Sequence, residues 1–119
     1  MSRDKGKRGE LEVVALMKEH GFEARRGQQH RGGSDSPDIL HNIPNVHVEV
    51  KLRQTLSLYP ALEKAKAESP DKVSVVFHRR NGKPWVAIIY AKDFLADMDQ
   101  LRDIRGGEEH GQITKTWVE

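Results

Sequence analysis

Between Asp4 and His20 the apolar residues Leu11, Val14 and Met17 recur at helical spacing, with Val13 and Leu16 beside them, which predicts an opening helix. Gly21 supplies a stop, and Phe22 is placed to pack back on the last turn. Phe22 to Arg26 reads as a short strand, and Asp38-Ile39-Leu40 starts another just after Pro37, followed by a turn around Pro44. From Val46 to Arg53 the alternation is strict: Val46, Val48, Val50 and Leu52 share one face of a strand, and His47, Glu49, Lys51 and Arg53 share the other. Pro60 then suits the first turn of a helix made of strong helix formers, Ala61 to Glu68, which stops before Pro70. Val73–His78 and Trp85–Tyr90 predict two strands joined through Arg79-Arg80-Asn81-Gly82-Lys83, where Asn-Gly marks a hairpin. Phe94, Leu95, Met98 and Leu101 predict a last helix from Ala91 to about Ile104. The order helix, three strands, helix, two strands, helix predicts a mixed α/β fold, one central sheet with helices packed on it. Residues 1–105 are expected to form a single domain, and the Gly- and Glu-rich residues 106–119 a tail.

At 119 residues the chain has room for one domain with a small core. It contains no Cys, which excludes disulfide frameworks, thiolate nucleophiles and thiolate zinc sites and points to a reducing cytoplasm. Any metal must sit on oxygen or imidazole. The six His show no paired spacing such as i, i+4, so no zinc site is expected. No apolar run approaches the roughly 20 residues of a membrane span, and no membrane partner is expected. The net charge of +2 is unevenly spread: residues 1–89 carry 16 Lys and Arg against 11 Asp and Glu, and residues 90–119 carry 4 against 7. A basic body suits a polyanion such as nucleic acid.

The chemistry concentrates in Pro37-Asp38, then ten residues, then Glu49-Val50-Lys51. Residues two apart on a strand face the same way, so the Glu49 carboxylate and Lys51 amine project together. A neighbouring strand beginning at Asp38 can bring a second carboxylate beside them. Converging carboxylates repel, and a divalent cation with hard oxygen ligands, Mg²⁺ or Mn²⁺, holds them together. Such an ion lowers the pKa of bound water while Lys51 stabilises developing charge, which describes a phosphodiester hydrolase.

These residues resemble the PD-(D/E)XK nuclease signature, and the element order resembles that superfamily's restriction-endonuclease-like αβββαβ core. Lys5-Gly6, then three residues, then Glu10, followed by Gly21-Phe22 and an Arg-bearing strand, is similar to the archaeal-type Holliday junction resolvases and their phage-encoded relatives. The resemblance implies a metal-dependent endodeoxyribonuclease acting as a homodimer on four-way or otherwise branched DNA, and a bacterial or archaeal cytoplasm or a phage genome as its source. It implies Glu10, Asp38, Glu49 and Lys51 as the active site, with Glu10, Asp38, Glu49 and the Val50 carbonyl as metal ligands and Glu12 as the fallback for Glu10. His47, on the Glu49 face, is expected near the metal. Two other readings stand beside it: a nicking or restriction-type nuclease on duplex or flap DNA, and a non-catalytic DNA-binding module with the nuclease fold.

The expected DNA contacts are cationic and amide groups on exposed segments. Lys5, Lys7 and Arg8 lie on the opening helix, and Arg25, Arg26, Gln28, Arg31 and Ser34 lie in or beside a Gly-rich loop whose main-chain N–H groups can approach phosphates. Ser34 sits near a serine position of the resolvase family. Arg53 follows the central strand, Lys64 sits where the superfamily often places a Gln or Lys on the second helix, and Arg79 and Arg80 lead into the hairpin tip.

Overall fold

The computed structural model describes residues 2–118 except 28–37. Contacts divide the chain into two compact units, residues 1–89 and 90–119. The first unit contains α1 (Ser2–Glu19), β1 (Ala24–Arg26), β2 (Ile39–His41), β3 (Val46–Leu52), α2 (Leu58–Glu68), β4 (Val73–Arg79) and β5 (Val86–Ile89); the second is α3 (Ala91–Val118). The order of elements is the one the patterning predicts. α3 runs past the expected end at Ile104, and the expected boundary at residue 105 falls inside it. Each Gly of the Gly106-Gly107 pair costs a helix only about 1 kcal/mol, so neither residue type forces a stop.

The strands form two ladders. β1 and β2 pair antiparallel, whereas β3, β4 and β5 make a mixed sheet in that order, β3 parallel to β4 and β4 antiparallel to β5. The parallel register sets His47 beside Ser74, Glu49 beside Val76 and Lys51 beside His78. Alternation along β3 then separates two environments. Val48 joins Val13, Val14, Met17, Ala24 and Ile39 in the core under α1, with Val46, Val50, Phe77 and Trp85 packed against it. The opposite face carries His47, Glu49 and Ser74, all buried, against the side of α2 that buries Leu62 and Ala65.

α1 ends where Gly21 allows it. Gly21 has φ +91°, its N–H donates to the Lys18 carbonyl at 3.0 Å, and the Phe22 N–H donates to the Met17 carbonyl at 3.0 Å. These two bonds are the Schellman pair, which needs a left-handed residue at that point. The Phe22 side chain remains 42% exposed. Among the described residues no helix is long and apolar enough to cross a membrane.

Candidate active site

α1 approaches β3 at one turn because Gly9 has no side chain. A Cβ there would stand 3.1 Å from Leu52 Cβ and 3.3 Å from Val50 Cγ1, closer than backbone and side chain tolerate without shifting. Gly6, by contrast, has open space around its Cα. The close approach buries the next residue, Glu10, to 6% exposure. A buried carboxylate needs a partner, and Arg26 Nε donates to Glu10 Oε1 at 2.8 Å from β1.

Asp38 sits at the start of β2 and reaches the chemistry through the main chain. Among the described residues β3 is an edge of the three-stranded sheet, so its outward N–H groups have no ladder partners there. Asp38 Oδ2 accepts the Val50 N–H at 2.8 Å, and the Asp38 carbonyl accepts the Gly27 N–H at 2.9 Å. The ten-residue interval in the sequence therefore fastens one carboxylate to the peptide between the other acid and the lysine.

The Glu49 side chain turns to α2. His47 Nε2 lies 2.9 Å from Glu49 Oε2 and 3.4 Å from Glu68 Oε1, while His47 Nδ1 lies 3.2 Å from Ser69 Oγ. Burial pushes the Glu49 carboxyl up, but hydrogen bonds from His47 and Glu68, with the charges of His47 and Lys51, outweigh it and bring the group down to about 2. Glu68 is pushed up to about 7 by its hydrogen bond to Glu49, with burial and the Glu49 charge adding to it. Hydrogen bonding to Glu49 also raises His47 against the opposing effect of burial. The two carboxyls thus push each other's ionisation apart, Glu49 downward and Glu68 upward.

Asp38 reaches β3 at the Val50 N–H, between Glu49 and Lys51 in the chain, while the Glu49 side chain turns to His47 and Glu68. Glu10 is adjacent to β3 but held by Arg26. Among the described residues, the donors close enough to hold one ion are His47, Glu49 and Glu68, whose ligand atoms all lie within 4.8 Å of one another. A buried anionic carboxylate with oxygen and imidazole donors beside it fits a divalent cation. Glu68 carries no distinguishing mark in the sequence, because Ala61–Glu68 looks like an ordinary Glu/Lys helix. Its signal was positional: Leu62 and Ala65 are the buried residues of α2, and three further on is Glu68.

Some expected DNA contacts are engaged inside the fold. Arg26 is taken by Glu10. Arg79 Nη1 lies 3.2 Å from Glu12 Oε1, with its guanidinium 5.9 Å from the Trp85 ring centre, and Trp85 Nε1 donates to the same Glu12 oxygen at 3.0 Å. Glu12 therefore joins α1 to the β4–β5 hairpin. Arg8 is exposed, within 3.7 Å of Glu12 Oε2 and 3.5 Å of Asn81 Oδ1. Lys7, Arg25, Arg53, Lys64 and Arg80 are exposed, Lys64 lying 4.0 Å from Glu68. The Lys5 side chain and residues Gln28, Arg31 and Ser34 lie outside the described residues.

Comparison with known proteins returns no match among curated sequences. Among solved structures, the chain is similar to the 1.6 Å structure of Archaeoglobus fulgidus Hjc, a Holliday junction resolvase from an archaeal hyperthermophile. The TM-score is 0.53 at 21% identity, covering 69% of this chain and 73% of that one. At that identity the likeness shows a shared fold. A profile of the archaeal Holliday junction resolvases (Hjc) matches residues 1–110, nearly the whole sequence, and on that match the chain belongs to the Hjc family.

Proposed function

We propose that this protein is a divalent-metal-dependent endonuclease that cuts branched DNA, acting as a homodimer on paired strands of a four-way junction. The observation that carries the reading is Asp38 on the Val50 N–H, between Glu49 and Lys51. Membership of the Hjc family and the Hjc-like fold support the substrate class. Glu10, Asp38, Glu49 and the Val50 carbonyl would hold Mg²⁺ or Mn²⁺. The ion supplies Lewis acidity to a phosphoryl oxygen and lowers the pKa of bound water.

The remaining work falls to side chains. Glu49 is anionic near neutral pH, because His47 and Glu68 stabilise its charge, so it offers a ligand without first losing a proton. Asp38 restrains the Val50 peptide and so the spacing of Glu49 and Lys51 on either side of it. Lys51 stabilises charge that develops on the phosphate as water adds to phosphorus and the P–O3′ bond breaks, leaving 5′-phosphate and 3′-hydroxyl ends. Glu10, neutralised by Arg26, completes the acidic set from α1. Exposed Lys7, Arg25, Arg53 and Arg80 supply phosphate contacts that position the duplex arms without reading sequence.

The test compares an immobile four-way junction with a matched linear duplex and a flap, each with Mg²⁺ and with EDTA. Paired, metal-dependent cuts confined to the junction are expected. Equal cutting of all three would make this a general nuclease, and junction binding without cutting under any metal would leave a binding module.

A further inference from the structure

We propose a second metal site, built by His47, Glu49 and Glu68 on the α2 face of β3, that takes a first-row transition cation, Zn²⁺ above Mn²⁺, in preference to Mg²⁺. It shares Glu49 with the proposed nuclease site, and its other two donors lie outside that site.

The spacing of the donors carries the inference. Ligands about 2.1 Å from one ion stand about 3.0 Å apart when cis in an octahedron and about 3.4 Å apart in a tetrahedron. His47 Nε2 stands 2.9 Å from Glu49 Oε2 and 3.4 Å from Glu68 Oε1. The two edges that meet at the imidazole therefore already have ligand spacing, and all three donor atoms lie within 4.8 Å of one another.

The imidazole is oriented as a ligand would be. A metal-binding His commonly donates its other ring N–H to an outer partner, which fixes tautomer and ring plane. Here Ser69 Oγ meets His47 Nδ1 at 3.2 Å, leaving Nε2 to face the two carboxylates. A second, independent observation comes from β4. Ser74, the register partner of His47, is fully buried, and its Oγ has no hydrogen-bond partner. Strand alternation puts it on the same face as His47, an unsatisfied oxygen beside the donors.

Charge points the same way. Two carboxyls converge on one imidazole in a largely buried site, where both can ionise together only if a cation joins them. One divalent cation balances both carboxylates. The nitrogen donor sets the selectivity, because imidazole raises affinity for Mn²⁺ through Zn²⁺ over Mg²⁺, which favours all-oxygen shells. Glu68, with 17% of its side chain exposed, gives the ion access from solvent.

Pulsed EPR of Mn²⁺ bound to the full chain tests this, prepared with natural and with ¹⁵N-labelled histidine, beside calorimetric Zn²⁺ titration of Asp38→Asn, His47→Gln and Ser69→Ala. Histidine nitrogen coupling is expected in wild type and in Asp38→Asn. His47→Gln should abolish it and weaken Zn²⁺ binding by more than the roughly 10–100-fold that loss of an outer-shell partner costs. Ser69→Ala, which removes such a partner, should fall within that range. The wild-type isotope comparison needs no variant, so a misfolded His47→Gln leaves the test intact. Absence of nitrogen coupling in wild type, or its persistence in His47→Gln, overturns the site. Retained coupling in an Asp38→Asn protein that no longer cuts DNA would separate this site from the nuclease reading.

Discussion

Two acidic residues on opposite faces of the same sheet meet opposite fates. Glu12, on the α1 side, faces donors: the Trp85 N–H, the Arg79 guanidinium and, at the rim, Arg8. Its charge is spent on holding a helix to a hairpin. Glu49, on the α2 side, meets one imidazole and a second carboxylate. There acceptors outnumber donors, and the two carboxyls oppose each other's ionisation. The first arrangement is complete as a structural joint, whereas the second leaves binding capacity for a cation. Identical side-chain chemistry thus reads as architecture or as function according to the balance of donors around it.

The largest expected effect breaks the α2 side. Glu49→Gln and Asp38→Asn should each lower junction cleavage by on the order of 10²–10³ or more, measured by single-turnover kinetics, with junction binding retained in gel shifts. Next comes the apolar α1 side, where Ile39→Ala should cost about 2–5 kcal/mol of stability in urea unfolding. Ile39 is 1% exposed and belongs to the core under α1. Gly9→Ala should cost about 1–3 kcal/mol, because the new methyl group meets Leu52 and Val50. Glu12→Gln weakens one joint at a half-exposed position and should cost about 1 kcal/mol. Arg80→Ala is the smallest: stability unchanged, and the slope of log affinity against log salt reduced by about 1.

Much of this was legible in the sequence, for reasons tied to particular residues. The alternation of Val46 to Leu52 fixes which side chains share a face, because a strand has period two. The Gly21 stop is legible because few other residues adopt positive φ. Pro37-Asp38 with Glu49-Val50-Lys51 is legible because it resembles a nuclease signature, and the Asp38–Val50 hydrogen bond gives the ten-residue spacing a physical meaning. Long-range pairing was not legible. Nothing local distinguishes Glu68 from Glu63, since only the packing of α2 on β3 brings one to His47 and leaves the other exposed. Arg79 and Arg80 are adjacent in sequence, yet strand alternation turns Arg79 to Glu12 and leaves Arg80 at the surface. Gly9 gave a quieter signal than Gly6, and it is the one that lets α1 touch β3.

The most direct measurement sets Glu49→Gln against Glu12→Gln in one assay: Mg²⁺-dependent cleavage of a labelled four-way junction, with melting temperature recorded for each protein. Glu49→Gln should fold and bind the junction without cutting it, and Glu12→Gln should melt earlier while cutting at the wild-type rate. Wild-type cleavage by a folded Glu49→Gln protein would contradict the assignment of this site.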